Sequence, residues 1–168
     1  FGHWFKAIGN RAVTFDGTSQ NSPNAHWIGS VLLTDDESYA IGTLRMVDCG
    51  QNKAFEELDK VIKDEAKSIG IIEEIVRLDK KEAKAILLKK GLSEKESNNV
   101  STYTHCEPPE DYFITSYDMI GKSGVWSHFG SWDFDRALIY NTLKKKEYIK
   151  QTILQEHKKL MPLNLDFY

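Results

Sequence analysis

The chain has 168 residues, 22 basic and 25 acidic side chains, a net charge of −3, and 40% apolar residues. A chain of this length buries roughly 70% of its unfolded surface, so no metal or disulfide is needed to hold a core, and four Trp, seven Tyr and eight Phe exclude a disordered chain. The charge argues against a general nucleic-acid binder, and no apolar run approaches the roughly 18 residues of a membrane span.

Cys49 and Cys106 are too few for a disulfide scaffold or a common zinc site, and they pair only if the compartment is oxidising. The start, Phe1-Gly2-His3-Trp4-Phe5, has neither the basic region nor the apolar stretch of a signal peptide. It reads as the cut edge of something larger.

Residues 1–22 are rich in turn dipeptides, with Ala12-Val13-Thr14-Phe15 as one short strand between them. Ser22-Pro23 predicts a helix start, carrying His26, Trp27, Ser30, Val31 and Leu32 until Thr34-Asp35-Asp36 stops it. A second helix is expected over 37–47, closed by Cys49-Gly50. From Asn52 to Gly91 the spacing of Phe55, Leu58, Val61, Ile62, Ile72, Ile75 and Val76 is helical, with breaks expected at Gly70 and Gly91. Asp79, with Glu82 three residues later, caps a helix over 83–90. The abundant Lys and Glu here read as a solvated helix face.

Residues 93–109 are polar, end in Pro108-Pro109, and predict a loop. Within them Asn99-Val100-Ser101 has the acceptor pattern for N-glycosylation, if this face is extracytoplasmic. Tyr112 to Tyr117 alternates aromatic and small residues and predicts a strand, pairing with Ala12–Phe15. One or two helices are expected over 135–160. The fold class is therefore mainly α with a small β element: one globular domain over 1–168, α+β in its minor part.

No nucleophile elbow, His-Glu-x-x-His or Walker loop is present: Gly121-Lys122-Ser123 imitates the end of a Walker loop, but the position that needs its first Gly is Ser116. The histidines read as structural or surface residues, since only His105 has a neighbouring ligand type, Cys106. The unusual stretch is Asp118 to Phe134, where glycines and small polar residues interleave with Trp126, Phe129, Trp132 and Phe134. That pattern suits a buried crossover or a shallow peptide groove. If 118–122 is helical, Asp118 and Lys122 share a face one turn apart, and from the residues alone a simple helix cap with an i,i+4 pair is the favoured reading.

Phe1-Gly2-His3-Trp4-Phe5, Gly9-Asn10-Arg11 and Asp16-Gly17-Thr18-Ser19-Gln20-Asn21, together with the Asp118–Trp132 stretch, resemble the catalytic subunit of archaeal oligosaccharyltransferases. In this resemblance Phe1-Gly2 close a Trp-Trp-Asp-Tyr-Gly signature, with Phe in place of Tyr, and Asp118 onward is the second signature region on a kinked helix. Asp118 and Lys122 are four residues apart, whereas the commonly quoted family motif spaces its acid and base by three.

The resemblance implies the extracytoplasmic part of a multi-pass cell-membrane enzyme that transfers a dolichol-linked glycan to the Asn of Asn-x-Ser/Thr. It makes Phe1, Gly2, Asp118, Met119 and Lys122 the acceptor-binding residues. Catalytic carboxylates and a divalent metal, Mn or Mg, are expected outside this chain, so the chain alone is expected to be inactive. Its partners are then an acceptor polypeptide and a lipid-linked oligosaccharide, with no nucleic acid. Physically, a Ser/Thr hydroxyl is read by placed polar partners, and Met119 suits a Thr methyl. The alternative is a free-standing peptide-binding module using a groove at Trp126 to Phe134.

Overall fold

The computed structural model describes residues 2–14, 23–108 and 110–145. The chain divides into two compact units, Phe1–Trp132 and Asp133–Tyr168. In the first unit, α1 spans Gly2–Ala7 and α2 spans Asn24–Leu33, opening after Pro23, whose fixed φ suits a helix start. Ser22, expected as its cap, lies outside the described residues.

Side-chain caps set most of the following boundaries. Asp36 accepts from the Tyr39 N–H and starts α3 (Glu37–Gly50), while α4 (Lys53–Ile62) ends where Lys63 turns left-handed at φ 56°. Asp64 then accepts from the Lys67 N–H to open α5 (Glu65–Ile75). Gly70, read from the sequence as a break, sits inside α5 on its exposed side with open space around it. Helix interiors tolerate a glycine at a cost of about 1 kcal/mol, and the break falls instead at Lys63-Asp64. Asp79 accepts from the Lys81 and Glu82 N–H groups and caps α6 (Lys80–Lys89), which stops before Gly91 at φ +97°.

The expected loop over 93–109 is mostly a helix, α7 (Glu94–Thr104). Ser93 and Glu96 form a reciprocal capping box at its start. The face α7 buries is Ser97, Val100, Ser101 and Thr104, nearly all small and polar, so it carries little apolar periodicity. Small side chains also allow close approach, and α7 packs against α3, α4 and α6. Met46 and Val47 of α3, Leu58 of α4 and Leu87 of α6 are all at 2% exposure or less, and α7 adds Val100 at 0%.

Arg45 closes two helix ends from α3: its Nε donates to the Thr104 carbonyl at 2.8 Å and its Nη2 to the Val76 carbonyl at 3.3 Å. Cys49 and Cys106 are bonded, with Cα atoms 5.7 Å apart, tying the end of α3 to the residues just past α7.

The small β element is not found among the described residues. Tyr112–Tyr117, expected as a strand, is irregular as far as Ser116 and turns at Tyr117, with Tyr112, Phe113, Ile114 and Tyr117 all exposed. Alternation marks a strand only when one face is buried against a partner, and this stretch has no such cover. Of its expected partner, Ala12–Phe15, the first three residues are irregular and Phe15 lies outside the described residues.

The first unit closes with α8 (Asp118–Gly121) and α9 (Ser123–Gly130). In the second unit, Asp133 accepts from the Arg136 N–H at 2.8 Å and starts α10 (Phe134–Lys145). The rest of the helical stretch expected to 160 lies outside the described residues.

Candidate functional site

The Asp118–Trp132 stretch is held by one tight helix contact. A Cβ on Gly29 of α2 would fall 2.6 Å from the Gly130 nitrogen of α9, and one on Gly130 would fall 2.4 Å from the Gly29 carbonyl carbon. Two glycines facing each other let the backbones nearly touch, and α2 and α9 pack along their lengths. His26 of α2 reinforces the contact by donating from Nδ1 to the Phe129 carbonyl at 3.0 Å. Burial pushes the His26 imidazole below its ordinary value despite that carbonyl, which keeps the ring neutral near pH 7.

Ahead of α9 the helix is interrupted at Lys122 (φ −103°, ψ 10°), with Gly121 and Gly124 on either side in open space. The interruption carries the candidate pair. Lys122 Nζ donates to Asp118 Oδ2 at 2.5 Å, and the Ser116 hydroxyl donates to Asp118 Oδ1. Lys122 foremost, then Ser116, holds the Asp118 carboxyl below its ordinary value. Both side chains are solvent-exposed, so the charge is offered to anything that docks there.

Met119, half-buried, faces a different environment. It lines an open groove of about 540 Å³ together with Leu32, Thr115, Ser116, Tyr117, Ile120, Ser123 and Trp126. The groove is mostly apolar, with a few hydroxyls at its edge. The structure thus brings Asp118, Met119 and Lys122 together on one turn. Gly2 opens α1, which is not among the helices packed closely on α8 or α9, and Phe1 lies outside the described residues. Trp126 lines the groove, whereas Trp132 packs edge-on against His128 and Phe134 falls in the second unit.

Leu32 was not identifiable as a groove residue from sequence, because only the α2–α9 contact brings it there. A second pairing with no local sequence signal is Asp48 of α3 with Asp111. Burial foremost, then the Asp111 charge and a hydrogen bond to it, pushes the Asp48 carboxyl up to about 6. Two carboxylates make a poor cation site alone, and among the described residues no three His, Cys, Asp or Glu side chains converge to hold a metal.

Two relatives share most of this chain. It is 40% identical over 139 residues to a dolichyl-phosphooligosaccharide-protein glycotransferase of Methanocaldococcus jannaschii, and 34% identical over 140 residues to one of Methanococcus voltae. These matches take in 79% and 80% of this chain but only 15% of each relative, so the chain corresponds to a small part of their length. No family model and no solved structure matches it significantly. The resemblance drawn from the chain's two ends is thereby borne out. No helix among the described residues is long and apolar enough to cross a membrane.

Proposed function

We propose that this relative of the dolichyl-phosphooligosaccharide-protein glycotransferases is the extracytoplasmic acceptor-side portion of such an enzyme, a glycosyltransferase of the cell membrane. The observation that carries the reading is the extended identity to two enzymes of that name, over a stretch that accounts for most of this chain. The substrates follow from the name: a lipid-linked oligosaccharide and a protein acceptor. The Cys49–Cys106 bond supports an oxidising, extracytoplasmic setting.

Within the enzyme, the turn at Asp118–Lys122 contributes to reading the Ser/Thr of Asn-x-Ser/Thr. The exposed Asp118 carboxylate, kept ionised by Lys122 and Ser116, is a ready acceptor for a hydroxyl. Met119 and the groove wall offer apolar contact to a Thr methyl or a flanking side chain. Phe1 and Gly2 belong to the neighbouring signature in this reading. The transfer step, with its catalytic carboxylates and its Mn or Mg, belongs to the remainder of the enzyme, and this chain alone is inactive.

The test is a glycopeptide gel-shift assay with the full-length membrane protein, lipid-linked glycan and a fluorescent Asn-x-Thr peptide. Asp118→Ala and Lys122→Ala each reduce transfer strongly in this reading. Undiminished transfer by both leaves the enzyme standing and removes this turn from the acceptor site. Absence of transfer by wild type under Mn and Mg alike, with peptide binding by the isolated chain, favours the free-standing peptide-binding module.

A further inference from the structure

The Asn99-Val100-Ser101 triplet plays no part in the reading above, and the structure places it unexpectedly. It lies in the middle of α7, the helix packed against α3, α4 and α6. Asn99 is exposed, but Val100 is 0% and Ser101 2% exposed, because successive helical residues point about 100° apart. An acceptor site that reads such a triplet has to touch the Ser hydroxyl, and in folded α7 that hydroxyl is sealed off from solvent.

The helix is fastened at both ends. The Ser93–Glu96 capping box holds its start, and the Cys49–Cys106 bond lies just past its end. The Ser101 hydroxyl has no hydrogen-bond partner among the described residues, so the packed helix does not use it as a polar group. A buried hydroxyl without a partner is a cost that an Ala at this position would avoid.

We propose that Asn99 is a folding-gated glycan acceptor, open to modification in the unfolded chain and closed once α7 has packed. The donor class is a sugar linked through phosphate to a lipid. The Asn99 Nδ2–C1 bond forms as the C1–O bond to phosphate breaks; the phosphate leaves with the electron pair and takes up the one proton that Nδ2 gives up. Once folded, the chain exposes the triplet only in its rare unfolded fraction, of order 10⁻³ or less, so the folded rate is lower by at least about 100-fold. The proposal does not require this chain to be an oligosaccharyltransferase itself.

The experiment uses a separate oligosaccharyltransferase of established activity, with its lipid-linked donor. It compares the oxidised, folded chain with a synthetic peptide spanning 95–105, and reads both by mass spectrometry. The expected result is modification of the peptide at Asn99, none of a Ser101→Ala peptide, and at least about 100-fold slower modification of the folded chain. A folded chain modified less than about 100-fold more slowly overturns the gating. A peptide left unmodified beside a reacting control acceptor overturns the acceptor assignment.

Discussion

The helical body from α3 to α7 and the segment from Glu110 to Trp132 contain similar apolar residues and place them in opposite ways. In the body, Met46, Leu58, Ile72, Ile75 and Leu87 point inward, Asp36, Asp64, Asp79 and Ser93 cap helix starts, and a disulfide ties the two ends. In the segment, Tyr112, Phe113, Ile114, Tyr117 and Ile120 are more than half exposed, and α8 has no buried residue. The body uses its hydrophobic surface to fold, whereas the segment leaves its own available for contact with something else. The Gly29–Gly130 approach fixes α9 of the segment against α2, which in turn packs on α3 of the body.

The sharpest way to break this contrast is to loosen the body. Cys49→Ser with Cys106→Ser opens a loop closed across 57 positions and is expected to cost about 4 kcal/mol, read as a lower urea midpoint. Next is Gly29→Ala, which puts a methyl against the Gly130 backbone; a loss of about 1–3 kcal/mol in thermal unfolding is expected, with faster amide exchange in α9.

A smaller effect follows from pH. His26 and His105 both titrate below their ordinary value in the folded chain, chiefly through burial. Their contribution is complete above the unfolded pKa of about 6.5 and is lost as pH falls toward their folded values, because the unfolded chain then binds more protons. Asp48 has the opposite sign: raised to about 6, it favours the fold below its unfolded value and withdraws that support as pH rises through 6. Urea midpoints at about pH 5 and about pH 8 separate the two, since Asp48→Asn raises the second more than the first.

The sequence made the body legible wherever a cap or an apolar stripe was local. Asp79 with Glu82, the stop at Thr34–Asp36 and the Leu58–Ile62 spacing are signals of that kind, and each one lies on a helix or at its boundary. It hid α7, although Ser93-x-x-Glu96 was present as a capping signature, because a buried face of Ser, Ser and Thr looks like a polar loop. It suggested a strand at Tyr112–Tyr117, because alternation alone does not reveal whether a partner exists. In the site, the Asp118–Lys122 pair was legible from its i,i+4 spacing. That Met119 faces a groove with Leu32 was not, since this depends on a helix contact between residues far apart in sequence.

The central claim is that the Asp118–Lys122 turn reads the acceptor rather than supporting the fold. The most direct measurement is the acceptor KM and kcat of the full-length enzyme carrying Met119→Ala, taken for Asn-x-Thr and Asn-x-Ser peptides side by side. The account predicts about a tenfold lower kcat/KM for the Thr peptide, carried by KM, a smaller change for the Ser peptide, and an unchanged unfolding temperature. Wild-type values of kcat/KM for both peptides would contradict it.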